Sequence, residues 1–343
     1  MQTGTEPTLL RTGPTLSRTG PTSSRSGPAL SRRGLLGAAV LAGPLALALP
    51  GAQADAADAV NAAGAAGAAD GARRRLRRLE ADYPGRIGVA VLDTGSGRFL
   101  GYRARERFAM CSTFKAPAVA AVLRVARRED PGLLDRLVRY TAADVEQAGG
   151  GAVTSKHVET GLTVRELCDA AITYSDNCAA NLLMRRIGGP GAVTGFLRTL
   201  GDRHSRLDRW EPELNTNLPG DPRDTTTPAA MARSLGLMSL GGALAPPDRA
   251  QLNAWLVANT TGDKRIRSVL PGSWRVGDKT GTGERGSMND IAVAWPPGAA
   301  PLVICVYTTR LDAETPGDDR VVAEAADIAV SAVSAVSVGS ALV

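Results

Sequence analysis

Segments with the pattern of β-strands lie near both ends of the chain and enclose a long stretch of helical pattern. The first two are separated by Gly95-Ser96-Gly97, which is typical of a hairpin turn. The predicted strands cover residues 87–94, 98–103, 274–279, 289–295 and 302–308. Because a strand needs neighbours for its backbone hydrogen bonds, we expect the two ends to share one five-stranded antiparallel sheet. The sequence therefore predicts an α/β sandwich with flanking helices, an all-α lobe over about residues 112–258, and a cleft between the two.

Apolar residues recur at three- and four-residue spacing through the middle of the chain, which predicts helices. These segments cover residues 115–128, 131–140, 163–174, 178–187, 192–200, 229–239, 247–258 and, after the last strand, 319–337. Residues 205–228 interrupt the pattern with Pro212, Pro219, Pro222 and Pro228. This stretch is too long for an ordinary connection, so it predicts a structured functional loop.

The first 54 residues have the pattern of an export signal. A polar repeat, Arg-Thr-Gly-Pro-Thr at 11–15 and again at 18–22, precedes Arg32-Arg33 and an apolar run through Leu49. The paired arginines predict a twin-arginine signal, read by the twin-arginine translocase and cut by signal peptidase after residue 54, so we expect a secreted protein. The Ala/Gly-rich residues 55–72 are predicted to be a linker, with the start of a helix as the alternative, and 73–343 the folded catalytic domain.

Composition excludes some classes of function. The chain has 343 residues, 43% of them hydrophobic, which is enough for a large core. Five arginines and one glutamate give the first 54 residues +4 of the net charge of +6, so only +2 remains for the rest. A basic surface for nucleic acid is therefore not expected. The four cysteines, at 111, 168, 178 and 305, lie in helical or apolar contexts and are predicted to be buried free thiols.

A serine with a lysine one helical turn later, Ser112-Thr113-Phe114-Lys115, precedes the first predicted helix. Residues three apart share a helix face, so the lysine amine is expected beside the serine hydroxyl. A serine nucleophile needs such a base, together with fixed N–H donors for the oxyanion. This pair alone also occurs by chance, with a capping serine and a solvated lysine.

Three further motifs follow at the junctions of predicted elements. They are Ser175-Asp176-Asn177, Glu211-Pro212-Glu213-Leu214-Asn215 and Lys279-Thr280-Gly281-Thr282. Each has an ordinary structural explanation, namely a turn between helices, a solvated acidic loop and a strand end with a surface lysine. Their joint occurrence in this order favours one catalytic site.

Other hydrolytic sites find little support in the sequence. The only histidines, His157 and His204, have charged neighbours and are expected at the surface, which disfavours a Ser-His-Asp triad. No Cys/His cluster has the spacing of a zinc site, so neither a metal nor another cofactor is expected.

The four motifs together resemble those of the class A β-lactamases, over about residues 75–338. The resemblance implies the fold of serine β-lactamases and penicillin-binding proteins, β-lactam substrates, antibiotic resistance and a monomer. It makes Ser112 the nucleophile that opens the ring of a penicillin or cephalosporin. Lys115 or Glu211 is then the base for this step, Ser175 passes a proton to the lactam nitrogen, and Glu211 activates the water that hydrolyses the ester.

The resemblance also implies binding and supporting roles. Asn177 would bind the substrate's side-chain amide and Asn215 the water, while Lys279, Thr280 and Thr282 line the substrate strand. The backbone N–H groups of Ser112 and Thr282 would form the oxyanion hole. The supporting residues are Asp176, which braces its turn, Asn181, which braces Glu211, and the ion pair of Arg209 with Asp224.

Two departures from the family pattern affect substrate binding. Met288 stands where many members have an arginine for the substrate carboxylate, and we expect Arg265, on a neighbouring helix, to replace it. Gly150 and Gly151 occupy a cleft-edge turn where relatives often have an aromatic residue, which predicts an open entrance.

Two other functions use the same acylation parts. A D-alanyl-D-alanine peptidase or penicillin-binding protein, and a sensor that stays acylated, both react with β-lactams and release them slowly. General-base catalysis by a carboxylate such as Glu211 contributes about 10² to 10⁴ in rate, which distinguishes an enzyme from a trap. Cys111 and Thr282 also occur in broad-spectrum relatives, but the sequence does not define the substrate spectrum.

Overall fold

The computed structural model describes residues 51–334, with side chains from residue 64 onward. Its α-helices are α1 (Gly51–Asp82), α2 (Lys115–Arg128), α3 (Ala142–Gln147), α4 (Val164–Thr173), α5 (Asn177–Ile187), α6 (Pro190–Thr199), α7 (Pro228–Ser239), α8 (Pro246–Val257) and α9 (Asp319–Ser334). Its strands are β1 (Gly85–Asp93), β2 (Phe99–Tyr102), β3 (Phe108–Ala109), β4 (Leu137–Val138), β5 (Leu162–Thr163), β6 (Thr225–Thr226), β7 (Arg275–Gly283), β8 (Ser287–Trp295) and β9 (Leu302–Arg310). No helix in this part of the chain is long and apolar enough to cross a membrane.

The main sheet joins the two ends of the described chain, as predicted. Its five strands have the order β2-β1-β9-β8-β7, and all neighbours are antiparallel. β1 and β9 pair along their whole lengths, with Val89 opposite Val306. β7 lies at the edge, so one of its sides is open to the cleft.

Each strand contributes side chains to both faces of the sheet, because successive residues point in opposite directions. On β9, Val303, Cys305 and Tyr307 are buried towards the helical lobe. The intervening Ile304 and Val306 are buried in a second core. That second core includes α1 and α9, so the sheet lies between the two terminal helices and the helical lobe.

Two predicted segments differ from the structure. Residues 55–72, predicted to be a linker, belong to helix α1, which agrees with the alternative of a helix start and with the high helix propensity of alanine. Residues 131–140, predicted to be a helix, form only a short 3₁₀ helix at Leu133–Asp135 followed by β4, which pairs with β5. Residues 1–50 of the predicted signal lie outside the described part, so the signal remains a prediction.

The remaining predicted helices and strands are present with ends shifted by a few residues. α2 begins and ends where the sequence predicted. The sequence missed α3, whose six residues start from a capping box formed by Thr141 and Asp144. α3 exposes most of its length, so no apolar periodicity indicated it.

The proline-rich loop has little regular structure, as predicted. It contains a 3₁₀ helix at Glu213–Asn215, the short strand β6 and a cis peptide bond between Glu211 and Pro212. β6 pairs with β3, which lies just before Ser112. The end of the loop is therefore joined to the segment that leads to the proposed nucleophile.

Candidate active site

Ser112 lies in a 3₁₀ turn, Cys111–Phe114, that leads directly into α2. Lys115 is the first residue of α2, and its Nζ donates to Ser112 Oγ over 2.8 Å. Lys115 is completely buried and Ser112 is 8% exposed. The structure thus places the amine beside the hydroxyl, as the three-residue spacing predicted.

The same amine joins three of the four motifs. Its Nζ donates to Ser175 O and to Asn177 Oδ1, both at 2.7 Å, and lies 3.4 Å from Ser175 Oγ. It also forms an ion pair with Glu211 Oε1 at 3.1 Å. Lys115 therefore lies at the centre of the candidate site.

Glu211 faces the nucleophile from the proline-rich loop. Ser112 Oγ lies 3.5 Å from Glu211 Oε1, and Asn215 Nδ2 donates to Glu211 Oε2 over 2.6 Å. Asn215 Oδ1 is buried without a protein partner in the described chain, so it can accept a hydrogen bond from water. The carboxylate and the amide can hold a water molecule between them.

The predicted supporting residues hold these groups in place. Asn181, on α5, bonds both backbone atoms of Glu211, accepting from its N–H at 3.0 Å and donating to its carbonyl at 2.9 Å. Arg209 Nε donates to the buried Asp224 over 2.5 Å, which links the start and end of the loop. Asp176 caps α5 by accepting from Ala179 N, and it also accepts from the backbone N–H groups of residues 153 and 154.

β7 forms the opposite wall of the site. A Cβ at Gly281 would lie 2.8 Å from Met110 O, so the glycine is what allows β7 to approach the serine turn. This close approach puts Thr282, the residue after Gly281, near the turn that contributes the second proposed oxyanion donor, Ser112 N. Thr280 is 4% exposed, and its Oγ1 shares a hydrogen bond of 2.5 Å with Thr261 Oγ1.

Lys279 is a second buried lysine, and its Nζ donates to Thr280 O at 3.0 Å. Burial, followed by the charge of Lys115, lowers the pKa of Lys279 to about 7. Asp278 and Asp290 oppose this effect.

Arg265 contacts β7, although it precedes the 3₁₀ helix Ile266–Val269 instead of lying on an α-helix. Its Nη2 donates to Thr282 Oγ1 at 2.8 Å and contacts Met288 Sδ at 2.9 Å. Its Nε donates to Asp319 at 2.6 Å. Arg265 is 6% exposed, and its guanidinium lies beside Met288, which stands where many family members have an arginine.

The two glycines of the turn at the cleft edge, Gly150 and Gly151, have different surroundings. A Cβ at Gly151 would lie 2.0 Å from Thr154 Oγ1 and 2.6 Å from Asp176 Oδ1, so packing around Asp176 requires a glycine there. A Cβ at Gly150 would meet nothing within 4 Å. The space beside Gly150 agrees with the predicted open entrance.

All four cysteines are buried and free, which confirms the prediction. Burial and the charge of Glu211 raise the pKa of the Cys111 thiol to about 12, so this neighbour of the nucleophile is unreactive at neutral pH. His204 is exposed and His157 is partly buried. In the described residues, no group of His, Cys, Asp or Glu is arranged to hold a metal ion.

The structure brings the predicted residues to one cleft, and it adds partners that the sequence did not indicate. Thr261 bonds Thr280, Asp319 pairs with Arg265, and Asn217 links the loop to the sheet. Thr261 and Asp319 lie outside the four motifs. Asn217 lies in the proline-rich loop, and this position was the only feature of the sequence that could have indicated a role for it.

Three comparisons with known proteins indicate the same family. A model described as the β-lactamase enzyme family matches residues 71–333. The β-lactamase AST-1 of Nocardia asteroides is 52% identical over 261 residues, which are 75% of this chain and 82% of that protein. The structure of the β-lactamase from Streptosporangium roseum has a TM-score of 0.74 and 52% identity, and the match covers 76% of this chain and 98% of that one. An ancestral class A β-lactamase has a TM-score of 0.72 and 56% identity, over 76% of this chain and 99% of that one.

These matches cover the sheet, the helical lobe and all four motifs. The relatives match over most of their own lengths, and the family model covers more than half of the chain. The chain belongs to the class A β-lactamases, and it is a β-lactamase enzyme.

Proposed function

We propose that this enzyme hydrolyses penicillins and cephalosporins through an ester on Ser112 that a Glu211-activated water releases. The observation that carries the proposal is the position of the Glu211 carboxylate, 3.5 Å from Ser112 Oγ and 2.6 Å from the Asn215 amide. The general base Glu211 and the nucleophile Ser112 thus lie in one buried site. The Asn215 side chain beside Glu211 can help to hold the water.

In the first half of the reaction, Ser112 Oγ attacks the lactam carbonyl carbon and gives up its proton. Glu211 Oε1, 3.5 Å away, can receive that proton directly, whereas Lys115 Nζ, 2.8 Å away, can receive it only after passing a proton of its own to Glu211, 3.1 Å from it. The backbone N–H groups of Ser112 and Thr282 stabilise the oxyanion. The C–N bond then breaks, and the lactam nitrogen takes a proton delivered through Ser175, whose Oγ lies 3.4 Å from Lys115 Nζ.

In the second half, Glu211 removes a proton from a water held with Asn215. The resulting hydroxide attacks the ester carbonyl, the bond to Ser112 Oγ breaks, and Ser112 regains its proton. Lys279, Thr280, Thr282 and Arg265 bind the substrate along β7, and Asn177 binds its side-chain amide. The Asn177 side chain can do so through Nδ2, because its Oδ1 accepts from Lys115.

A penicillin-binding protein or a sensor would share the acylation half and stay acylated. The buried Glu211 with its Asn215 partner favours the complete cycle over both. We further propose, from the paired arginines at 32 and 33 and the apolar run that follows, that the enzyme is secreted through the twin-arginine pathway. The family resemblance leads us to propose a monomer.

Turnover of a chromogenic cephalosporin by the purified protein tests the complete cycle. We expect many product molecules per protein molecule, because Glu211 is placed to release the ester. The measurement is absorbance against time at a known enzyme concentration. A single burst of one equivalent followed by a plateau would instead indicate a trap.

Loss of the Arg265 cation should weaken recognition of the substrate carboxylate. Arg265→Ala is expected to lower penicillin kcat/KM by about 10- to 100-fold, since Nη2 can exchange its weak contact with Met288 Sδ for the substrate carboxylate and a hydrogen bond between charged groups contributes roughly 1.5–3 kcal/mol. Lys264→Ala is the matched control, because it removes the same charge from an exposed neighbour. Unchanged KM and kcat in a folded Arg265→Ala protein would exclude this role.

The lowered pKa of Lys279 predicts a pH effect on substrate capture. With a pKa of about 7, Lys279 is charged below that pH and loses its proton as the pH rises. For an anionic penicillin, kcat/KM should therefore fall above about pH 7, because this parameter reports the free enzyme. In Lys279→Arg, which stays charged, the fall should move to higher pH. Superimposable alkaline limbs in the two proteins would contradict the assignment.

A further inference from the structure

We infer that Asn217 is a positioning residue that holds the Glu211 loop against the sheet and so sets the rate of ester hydrolysis. The inference rests on the proposed function, since it concerns the step assigned to Glu211. Asn217 follows Asn215 by two residues and lies at the point where the loop leaves the site.

The Asn217 side chain makes two hydrogen bonds to the sheet. Its Nδ2 donates to Ser287 Oγ on β8 and to Thr309 Oγ1 on β9, both at 2.7 Å. An amide nitrogen has two protons, so both are used. The Asn217 backbone has φ +43°, a left-handed conformation that asparagine tolerates better than most residues. Backbone and side chain thus both suit an asparagine at this position.

The anchored segment connects closely to the catalytic carboxylate. Asn215 O accepts from Glu284 N at 2.9 Å, at the turn between β7 and β8. Asn215 Nδ2 in turn donates to Glu211 Oε2 at 2.6 Å. If residues 215–217 moved away from the sheet, the partner of Glu211 would move with them.

The strands that receive Asn217 also determine the position of the serine turn. Ser287 is opposite Gly283, the last residue of β7. A Cβ at Gly283 would lie 2.6 Å from Cys111 Sγ and 2.9 Å from Asn215 O, so β7, the serine turn and the loop are in close contact there. Asn217 therefore fixes the loop relative to the same part of the sheet that carries the proposed oxyanion donor.

Two other contacts of the loop hold parts of it other than residues 215–217 and do not involve the sheet. Asn181 holds Glu211 from α5, and Arg209 with Asp224 joins the loop ends to each other. Beyond Asn217 the loop is exposed at residues 218–220 and borders a cleft of about 540 Å³. Residues 218–220 are exposed and cannot replace the Asn217 bonds. Asn215 and Thr216 each keep one hydrogen bond, from Glu284 N and Arg209 Nη1, both at 2.9 Å, so loss of the Asn217 bonds should loosen residues 215–217 without detaching them.

The variant Asn217→Gly tests the inference, because glycine keeps the left-handed backbone and removes the amide. Glycine also adds backbone freedom, and the acceptor variants Ser287→Ala and Thr309→Val, which leave residue 217 unchanged, separate the two effects. We expect kcat to fall about tenfold, with acyl-enzyme accumulating in the steady state. A smaller fall is expected in kcat/KM, since Lys115 contacts Ser112 independently of the loop. Leu218→Ala is the control, as it removes an exposed side chain from the next position and should leave both parameters within about twofold.

Changes at the acceptors give a reciprocal test. Ser287→Ala with Thr309→Val should also slow deacylation, and adding Asn217→Gly to this pair should slow it little further, because the bonds are already lost. Additive losses would show that Asn217 acts through something other than these bonds. Unchanged kcat in a folded Asn217→Gly protein would overturn the inference.

Hydrogen exchange separates this inference from the proposed function. Amides of residues 213–217 should exchange faster in Asn217→Gly than in the wild type, whereas those of α5 should not change. If the wild type formed no ester at all, the proposed function would fail, and exchange would still decide whether Asn217 holds the loop. Equal exchange in both proteins would show that it does not.

Discussion

The buried ion pair between Lys115 and Glu211 is the interaction on which the rest of the site depends. Both side chains have no solvent exposure, and their charged atoms lie 3.1 Å apart. Removing two charges from water costs several kcal/mol each, and the attraction between them offsets this only if other hydrogen bonds satisfy both groups. Here Ser112, Ser175 and Asn177 surround the amine, and the Asn215 amide holds the carboxylate. The surrounding elements are therefore arranged so that neither charge is left unpaired.

This requirement explains why so irregular a loop is so firmly attached. Glu211 comes from a segment with few backbone ladder bonds of its own, so side chains from elsewhere fix it. Asn181 holds its backbone, Asp224 joins the loop ends through Arg209, and Asn217 reaches the sheet. A carboxylate that must place water beside an ester depends on this positioning, because small displacements reduce general-base catalysis strongly.

Much of the fold could be predicted because a long helix or strand shows its apolar periodicity within its own stretch of sequence. The extent of α2 and the sharing of one sheet by both ends follow from such patterns. The prediction of a helix at residues 131–140 was wrong because β4 pairs with β5, more than twenty residues away along the chain. This long-range pairing overrides the helical spacing of the apolar residues. The catalytic groups could be predicted because each lies in a short motif. The pairing of Asp319 with Arg265, 54 positions apart, has no such local signal.

The central claim is that Glu211 releases an acyl group from Ser112. The most direct measurement is the intact and peptide mass of Glu211→Gln after mixing with a penicillin, because glutamine keeps the size of the side chain and one of its two acceptor oxygens but is not a base. The account predicts a stable mass increase of one penicillin on the peptide that contains Ser112, while the wild type returns to its free mass. Rapid turnover by Glu211→Gln with no adduct, or an adduct on another residue, would contradict it.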